Sequence, residues 1–325
     1  MLRLLDSLSL PGDAAKANED AFAHGAAAAL VMDGATMLGD PLMPGPSDAA
    51  WIATFGARRL LAHLQDMAPK KALRAAMADA EKSFNALRLR EMEAQWQIPC
   101  ASVMLVADAQ ASLPLSAKRD KGEGGGGVQP SPNAAGIAPS SSLRASRARA
   151  RVASEGRRGV EFVWLGDCGA IIAQGDAVTL IGDTMAKRAE ENARARKAAR
   201  EKNVSSAAPG VRAQFMDHLR TVRARVNSGD TWLFSPDKRA AAHARRRIVK
   251  AQAGALLLLA SDGFLALASD YDAYDAAGLI AAAKAKGLAA LGAELRAIEN
   301  ADSAGDRFAR FKKSDDATAL LLEIA

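Results

Sequence analysis

Short apolar runs separated by polar stretches dominate the pattern of hydrophobic positions along this chain. Runs of about four to eight apolar residues are typical of buried strands. They predict strands at Ala28–Met32, Ala101–Ala107, Val160–Leu165, Ala170–Ala173, Ala177–Ile181, Ala255–Ala260 and Ala317–Ile324. Several of these runs are too apolar to face water on either side, so we expect two sheets packed against each other.

Helical patterns occupy the segments between the strands. Ser47 and Asp48 are typical of the N-terminal cap of a helix, which we expect to reach about Gln65. From Lys70 to about Met92, apolar residues recur at spacings of three and four, which predicts a second helix. Further helices are predicted at Met185–Lys202, Ala213–Val226, Asp237–Arg247 and in three short segments after Asp275. Because strands and helices come in blocks, the pattern favours an α+β fold over a doubly wound sheet.

The composition is that of an ordinary globular protein, with 49% hydrophobic and 25% charged residues. The longest apolar run, around Ala255–Ala260, is far shorter than the roughly 20 residues that a bilayer span requires. Asp6 interrupts the N-terminal leucines, so no signal peptide is predicted. We therefore expect a cytoplasmic protein without membrane association. Cys100 and Cys168 are too few for a disulfide framework, and we interpret them as reduced packing residues.

The net charge of +6 is concentrated between Lys118 and Arg158, where nine Lys and Arg residues face three acidic ones. Residues 112–159 are also rich in Gly, Ser and Pro and lack large apolar side chains, which predicts a disordered basic insert between two strands. A second basic stretch falls within residues 184–250, a region that we expect to form a helical, flap-like segment. Nucleic-acid binding by the insert is the less favoured alternative, because basic runs are more often solvated.

Four short acidic motifs stand at the edges of predicted strands. They are Asn18-Glu19-Asp20, Met32-Asp33-Gly34, Ser261-Asp262-Gly263 and Ser314-Asp315-Asp316. In two of them an apolar run is followed by Asp and then Gly, and glycine permits close approach and unusual backbone angles. Carboxylate and carbonyl oxygens are the ligands that Mg²⁺ and Mn²⁺ prefer. Each motif alone is a common turn or surface pattern, but the four together favour a divalent metal centre.

With Leu165-Gly166-Asp167 midway along the chain and Asp315-Asp316-Ala317-Thr318 near its end, these motifs occur in the order found in one enzyme family. The chain resembles the metal-dependent type 2C serine/threonine protein phosphatases, as a divergent, bacterial-like member. The resemblance covers most of the chain outside the insert. It implies a single phosphatase-like domain over residues 1–325, with two central antiparallel sheets between helix pairs (α-β-β-α).

The resemblance also implies a site with two Mn²⁺ or Mg²⁺ ions and a third, weaker one. Asp33 would bridge the first two ions, the Gly34 carbonyl would bind one of them, and Asp262 and Asp315 would bind the other. Glu19 and Asp20 would hold a ligand or metal-bound waters, and Asp167 would support the third ion. Catalysis would depend on Asp33, Asp262 and Asp315 through a metal-bound water that attacks phosphorus.

The implied substrates are phosphoserine and phosphothreonine in phosphoproteins of signalling systems. The sequence is compatible with a monomer. Hydrolases with an Asp nucleophile need an Asp-x-Asp motif near the N-terminus, and this chain has none there.

The chain departs from the family pattern at two places. Where the family has His-Gly-Gly after its first Asp-Gly, this chain has Ala35-Thr36-Met37, so the general acid is missing at Ala35. The family's phosphate-binding Arg corresponds to Ala15, and the neighbouring Lys16 is our candidate substitute. These departures leave open a catalytically weak regulatory or binding module, although the intact carboxylates favour an enzyme. The four histidines, His24, His63, His218 and His243, show no pairing typical of metal ligands, and we place none of them in the site.

Overall fold

The computed structural model of the protein describes residues 1–109, 157–202, 205, 207 and 212–325. Its strands are β1 (Leu2–Leu10), β2 (Asp20–His24), β3 (Ala28–Gly34), β4 (Ala101–Asp108), β5 (Arg157–Leu165), β6 (Gly169–Gln174), β7 (Ala177–Ile181), β8 (Arg245–Gln252), β9 (Leu256–Ala260) and β10 (Ala317–Ile324). They form two five-stranded antiparallel sheets, of order β1-β10-β9-β6-β7 and β2-β3-β4-β5-β8. We call these the first and the second sheet.

Helices cover the outer face of each sheet. The helices of the described residues are α1 (Asp48–His63), α2 (Pro69–Leu87), α3 (Thr184–Lys202), α4 (Met216–Arg223), α5 (Asp262–Ser269), α6 (Ala276–Lys286) and α7 (Leu288–Ala301). The pair α1 and α2 packs on the second sheet, and α5, α6 and α7 pack on the first. Within the described ranges, no helix is long and apolar enough to cross a membrane.

The central core lies between the two sheets and explains why their strands are apolar on both faces. On β3, Leu30 and Met32 face α1 and α2, whereas Ala29 and Val31 face the first sheet. Alternate residues of a strand point to opposite sides, so a strand covered on both sides must be apolar throughout. The predicted α+β fold with an α-β-β-α order of layers is confirmed.

The start of α1 fixes the loop that follows β3. The Ser47 hydroxyl accepts a hydrogen bond from the Ala50 amide at 3.0 Å, as predicted for an N-terminal cap. The Asp48 carboxylate accepts from the amides of Leu42 and Met43 at 2.8–3.0 Å. The loop is therefore tied to the helix, although α1 ends slightly before the predicted Gln65 and α2 ends at Leu87, short of Met92.

Sequence reasoning missed three strands, β1, β2 and β8, and all three lie at a sheet edge. An edge strand can expose one side, so its sequence need not be a continuous apolar run. The helix predicted at Asp237–Arg247 is wrong at its end, because a 3₁₀ turn at Lys238–His243 leads into β8. The helix predicted at Ala213–Val226 is shorter, and α5 was not predicted. Only α6 and α7 follow Asp275, not three helices.

Two further predictions concerned whole segments, the basic insert at residues 112–159 and the flap-like segment at residues 184–250. Most of the predicted basic insert, residues 112–156, lies outside the described residues. Its last three residues, Arg157–Gly159, belong to β5, so that boundary was placed too late. The predicted flap-like segment at about 184–250 contains α3 and α4, and its end from Arg245 onward belongs to β8.

Phe162 tests the packing between the sheets, because its side chain is fully buried in the central core. We expect Phe162→Ala to lower the free energy of unfolding by about 3–5 kcal/mol, from lost burial and the cavity left behind. The matched control is Ile248→Ala on the adjacent strand β8, where the side chain is 49% exposed and the loss should stay below about 1 kcal/mol. Urea denaturation measures both, and equal losses would contradict this account of the core.

Candidate active site

Asp20 and Asp33 stand side by side at one end of the second sheet. They are direct partners in the pairing of β2 with β3, and Asp33 is in turn the partner of Ser102 on β4. Directly paired residues of neighbouring strands point to the same face of a sheet. The second sheet therefore presents two carboxylates and a hydroxyl in one row.

The first sheet brings Asp262 and Asp315 to the same end of the sandwich. Asp262 is the first residue of α5, two residues beyond β9, and Asp315 lies just before β10. Ser261 and Thr318 join these two strand ends, because the Ser261 amide donates to the Thr318 carbonyl at 2.9 Å and the Thr318 amide donates to the Ser261 hydroxyl at 3.0 Å. Both carboxylates are thus held on a rigid edge.

Asp167 joins this group from the turn between β5 and β6. The Ser102 hydroxyl donates to its carboxylate at 2.5 Å, and the Thr184 hydroxyl donates to its backbone carbonyl at 2.6 Å. The preceding Gly166 has φ +83°, and a β-carbon there would overlap Ser102. Only glycine permits both the backbone angle and this contact.

The glycines of the two Asp-Gly motifs serve close approach and not unusual backbone angles. A β-carbon on Gly34 would overlap the backbone carbonyl oxygen of Glu19, and one on Gly263 would overlap that of Asp316. Neither glycine has a positive φ. Each Asp-Gly motif is therefore packed directly against the backbone of another acidic motif.

Asp316 anchors the N-terminal motif. Its carboxylate accepts hydrogen bonds from the amides of Gly12 at 2.7 Å and Glu19 at 2.6 Å. The Glu19 carboxylate accepts from the Thr36 hydroxyl at 2.6 Å. The acidic motifs nearest the two ends of the sequence thus hold each other in place.

Burial and mutual repulsion dominate the electrostatics of the second-sheet pair. Burial raises the pKa of Asp20 well above its usual range, and the nearby charges of Asp315, Asp316 and Asp262 add to the rise, which the Ser261 hydroxyl opposes. Burial likewise raises the pKa of Asp33, with further contributions from Asp20, Asp262 and Asp315. Both groups favour the neutral form in the absence of a cation.

Two basic side chains offset the charges of the first-sheet pair. Burial raises the pKa of Asp262 to about 6, although Arg188 opposes the rise and donates to its carboxylate at 3.0 Å. Burial would also raise the pKa of Asp315, but the Lys312 ammonium, which donates to it at 2.5 Å, brings that pKa below its usual value.

Asp20 provides the structural test of whether the cluster fits a cation. The residue is 7% exposed, and both of its carboxylate oxygens are buried without a hydrogen-bond partner of ordinary geometry. A buried carboxylate without donors is costly unless a cation compensates it, so the donor set fits a hard divalent ion. Across the described ranges, no three Asp, Glu, His or Cys side chains already converge as ligands of one ion. Arg188 and Lys312 instead hold two of the carboxylates.

A cavity of about 350 Å³ opens at this end of the sandwich. The predicted site residues on its wall are Asp33, Gly34, Asp167, Asp262 and Asp315. Glu19 and Asp20 do not line it. Lys16, the predicted phosphate-binding residue, does not line it either, because its side chain is 79% exposed and pairs with Asp13 at 3.6 Å.

Sequence reasoning missed the basic wall of the cavity. The described residues that supply it are Lys187, Arg188, Arg194, His218, Arg223, Arg310 and Lys312. All seven belong to α3, to α4 or to the loop before β10, which carry no recognisable motif. The one available signal was the four-residue spacing of Thr184, Arg188 and Asn192 on α3, which places three polar side chains on a single helix face.

Helix α4 fixes the loop in which Ala35 replaces the family histidine. Arg223 donates to the backbone carbonyls of Ala35 and Thr36 at 3.3 and 3.4 Å, and Arg220 donates to the Leu38 carbonyl at 3.0 Å. Ala35 also lines the cavity. The loop thus places Ala35 on the cavity wall, with a side chain that carries no proton donor.

The two cysteines lie near this region without a chemical role. Both are free and fully buried. Burial raises the pKa of both thiols, so neither is poised as a thiolate nucleophile. This agrees with their interpretation as packing residues.

Comparison with known proteins places this geometry in context. No protein-family profile matches the chain, and no curated protein sequence matches it. Among solved structures, it is similar to the serine/threonine phosphatase PstP/Ppp of Mycobacterium tuberculosis, at 16% identity and a TM-score of 0.51, over 99% of this chain and 98% of that one. The fold is that of the type 2C phosphatases.

The chain is similar to two further solved structures. The serine/threonine phosphatase Stp1 of Staphylococcus aureus is 12% identical, with a TM-score of 0.50, over 100% of this chain and 96% of that one. The catalytic domain of PstP in complex with two manganese ions is 15% identical, with a TM-score of 0.49, over the whole of both chains. The similarity to the two phosphatases with TM-scores of 0.51 and 0.50 confirms the inferred resemblance at the level of the type 2C fold.

Asp33 tests the account of the buried charges. In excess chelator at pH 8, we expect Asp33→Asn to melt at least about 2 °C above the wild type, because the amide carries no charge and can still donate to Asp262. The raised pKa means that the folded wild type holds a proton that the unfolded chain releases. Its stability should therefore fall as the pH rises, and the advantage of the variant should be larger at pH 8 than at pH 5.

The matched control is Asp40→Asn, since Asp40 is exposed and outside the cluster. Thermal unfolding followed by circular dichroism measures all three proteins. A lower melting temperature for Asp33→Asn at both pH values would show that the buried carboxylate stabilises the metal-free fold.

Proposed function

We propose that this chain is a metal-dependent phosphomonoester hydrolase that dephosphorylates phosphoserine and phosphothreonine in proteins. The observation that carries the proposal is the convergence of buried carboxylates from both sheets on one cavity that also has a basic wall. We take residues 1–325 as one phosphatase-like domain, working with two Mn²⁺ or Mg²⁺ ions and a third, weaker one.

The residues that would hold these ions are Asp33, the Gly34 carbonyl, Asp262 and Asp315, with Glu19, Asp20 and Asp167 in support. A divalent ion bound there would lower the pKa of a water molecule and neutralise phosphoryl oxygens. The chain's own contribution is to hold the carboxylates on rigid strand ends, so that they need not reorganise during the reaction.

The basic wall supports a phosphorylated substrate. Lys187 and Arg194 of α3, together with His218 of α4, line the same cavity as the carboxylates. Cationic groups beside a metal centre attract a phosphate dianion and stabilise its charge. A phosphoprotein, in which the phosphate is displayed on a flexible segment, fits an open cavity of this kind.

A specific observation supports a second candidate, a regulatory or binding module with weak catalysis. Arg188 and Lys312 pair with Asp262 and Asp315, the positions that ions would otherwise neutralise, and Ala35 replaces the general acid. Such a module would bind a partner through the same cavity. Activity measurements distinguish the two candidates.

Metal dependence is the first test. We expect the wild type to hydrolyse p-nitrophenyl phosphate with Mn²⁺ or Mg²⁺ and to lose the activity in excess chelator. Asp33→Asn and Asp262→Asn should each lower kcat/KM by at least about 100-fold while circular dichroism shows an intact fold, because these carboxylates hold ions and not the core. The exposed control Asp40→Asn should stay within about twofold of the wild type.

Two outcomes would contradict the proposal of a metal-dependent phosphatase. Full turnover in chelator would contradict a metal-dependent mechanism. A wild type that binds Mn²⁺ by thermal shift but hydrolyses no phosphoester would favour the binding module.

Ala35 is the second test, because leaving groups differ in the help they need. Nitrophenolate leaves without protonation, whereas the serine alkoxide gains typically 10²–10⁴-fold from a general acid. We expect the wild type to be slow on phosphoserine peptides relative to p-nitrophenyl phosphate. Ala35→His should raise the peptide rate by about tenfold or more and the aryl rate much less.

Ala35→Gln is the matched control, since it adds a polar side chain of similar reach that cannot transfer a proton. It should leave the ratio of the two rates unchanged. If histidine and glutamine shift the ratio equally, the effect is steric and another group serves as the acid.

A further inference from the structure

Helix α3 docks on the site through polar side chains. Thr184, Arg188 and Asn192 follow one another at intervals of one turn and are buried, with exposures of 1%, 7% and 8%. Surface helices usually bury an apolar stripe. A buried polar stripe is expensive unless its groups find partners, so these residues must serve the site they contact.

Arg188 is held in place by Asp270, the residue that follows α5. Its Nε donates to Oδ2 of Asp270 at 2.9 Å, and its Nη2 donates to the same oxygen. Asn192 holds the other oxygen of Asp270 at 3.0 Å. The Asp270 side chain is only 3% exposed. The plane of the guanidinium is therefore set by a partner that is not a candidate metal ligand.

The other edge of this guanidinium faces the site. Nη1 of Arg188 donates to Oδ2 of Asp262 at 3.0 Å, and Arg188 lines the cavity beside Asp33 and Asp315. A guanidinium presents its donors as a planar fork that matches phosphate oxygens. Since Asp270 keeps the side chain in place, Arg188 can exchange its Asp262 contact for a phosphoryl oxygen without leaving its position.

Two other arginines on the cavity wall hold backbone or loop groups instead of site carboxylates. Arg223 donates to the carbonyls of Ala35 and Thr36, and Arg310 holds the loop before β10 through Asp302. Lys16 stands outside the cavity. Arg188, by contrast, pairs directly with the site carboxylate of Asp262.

We propose that Arg188 of α3 binds the phosphoryl group of the substrate. It would take over the role of the N-terminal arginine of the family pattern, whose position is occupied here by Ala15. The inference rests on the proposed function. It makes α3 part of the binding site, because the helix delivers the guanidinium that orients the phosphate beside the carboxylates.

Binding of inorganic phosphate to the Mn²⁺-loaded protein, measured by isothermal titration calorimetry, tests this role without relying on turnover. Arg188→Ala should weaken phosphate binding by at least about tenfold. Arg188→Lys should weaken it by about threefold or more, because an ammonium keeps the charge but lacks the fork. The matched control is Arg196→Ala on the same helix, which is exposed and off the cavity and should stay within twofold.

Thermal unfolding checks that each variant folds, and Arg188→Lys decides alone if Arg188→Ala does not. Unchanged phosphate affinity in the Arg188 variants would overturn the proposal. Tighter Mn²⁺ binding with unchanged phosphate affinity would also overturn it, because Arg188 would then be only the counter-ion of Asp262. In either of these two outcomes, a wild type that still hydrolyses p-nitrophenyl phosphate leaves the proposed function standing. A wild type that neither hydrolyses this substrate nor binds phosphate would overturn both the role of Arg188 and the proposed function.

Discussion

The burial of several like charges at one end of the sandwich is the constraint on which the rest of this structure depends. Asp20, Asp33 and Asp262 are removed from water and repel one another, and each carries a raised pKa as a result. An arrangement of this kind persists only where the surrounding structure holds it in place. Here the ends of two hydrogen-bonded sheets supply that rigidity.

The basic elements around the cluster follow from the same constraint. Arg188 and Lys312 neutralise part of the charge, and α4 secures the loop after β3 through Arg220 and Arg223. The acidic centre and its basic surroundings thus form one electrostatic unit, and in the proposed function a phosphate dianion would bind between them. The buried carboxylates depend on these basic side chains for part of their charge compensation.

The central strands and the site carboxylates could be predicted because their constraints are local. A strand buried on both faces must be apolar throughout, and Asp-Gly at its end leaves a recognisable pattern. The edge strands β1, β2 and β8 were not predicted, because a strand that is partly exposed to solvent can have a mixed polar and apolar sequence.

Arg188 was not predicted as a site residue, for a different reason. Its partners Asp262 and Asp270 lie 74 and 82 residues away, and nothing local distinguishes it from other arginines of a basic helix. Lys16 illustrates the converse, since its proximity in sequence to the Glu19 motif does not bring its side chain to the cavity.

The anchoring of the N-terminal motif by Asp316 also bears on how the site assembles. Its two hydrogen bonds join residues 304 and 297 positions apart, so each closes nearly the whole chain into a loop. Contacts of such separation gain their stabilisation only after the intervening strands have paired, and proteins rich in them fold slowly. The helical pair α1 and α2 can form from nearby residues, but the carboxylate cluster cannot. A partly folded form in which β10 and Asp316 were detached would therefore lack the hydrogen bonds that hold the N-terminal motif in the site.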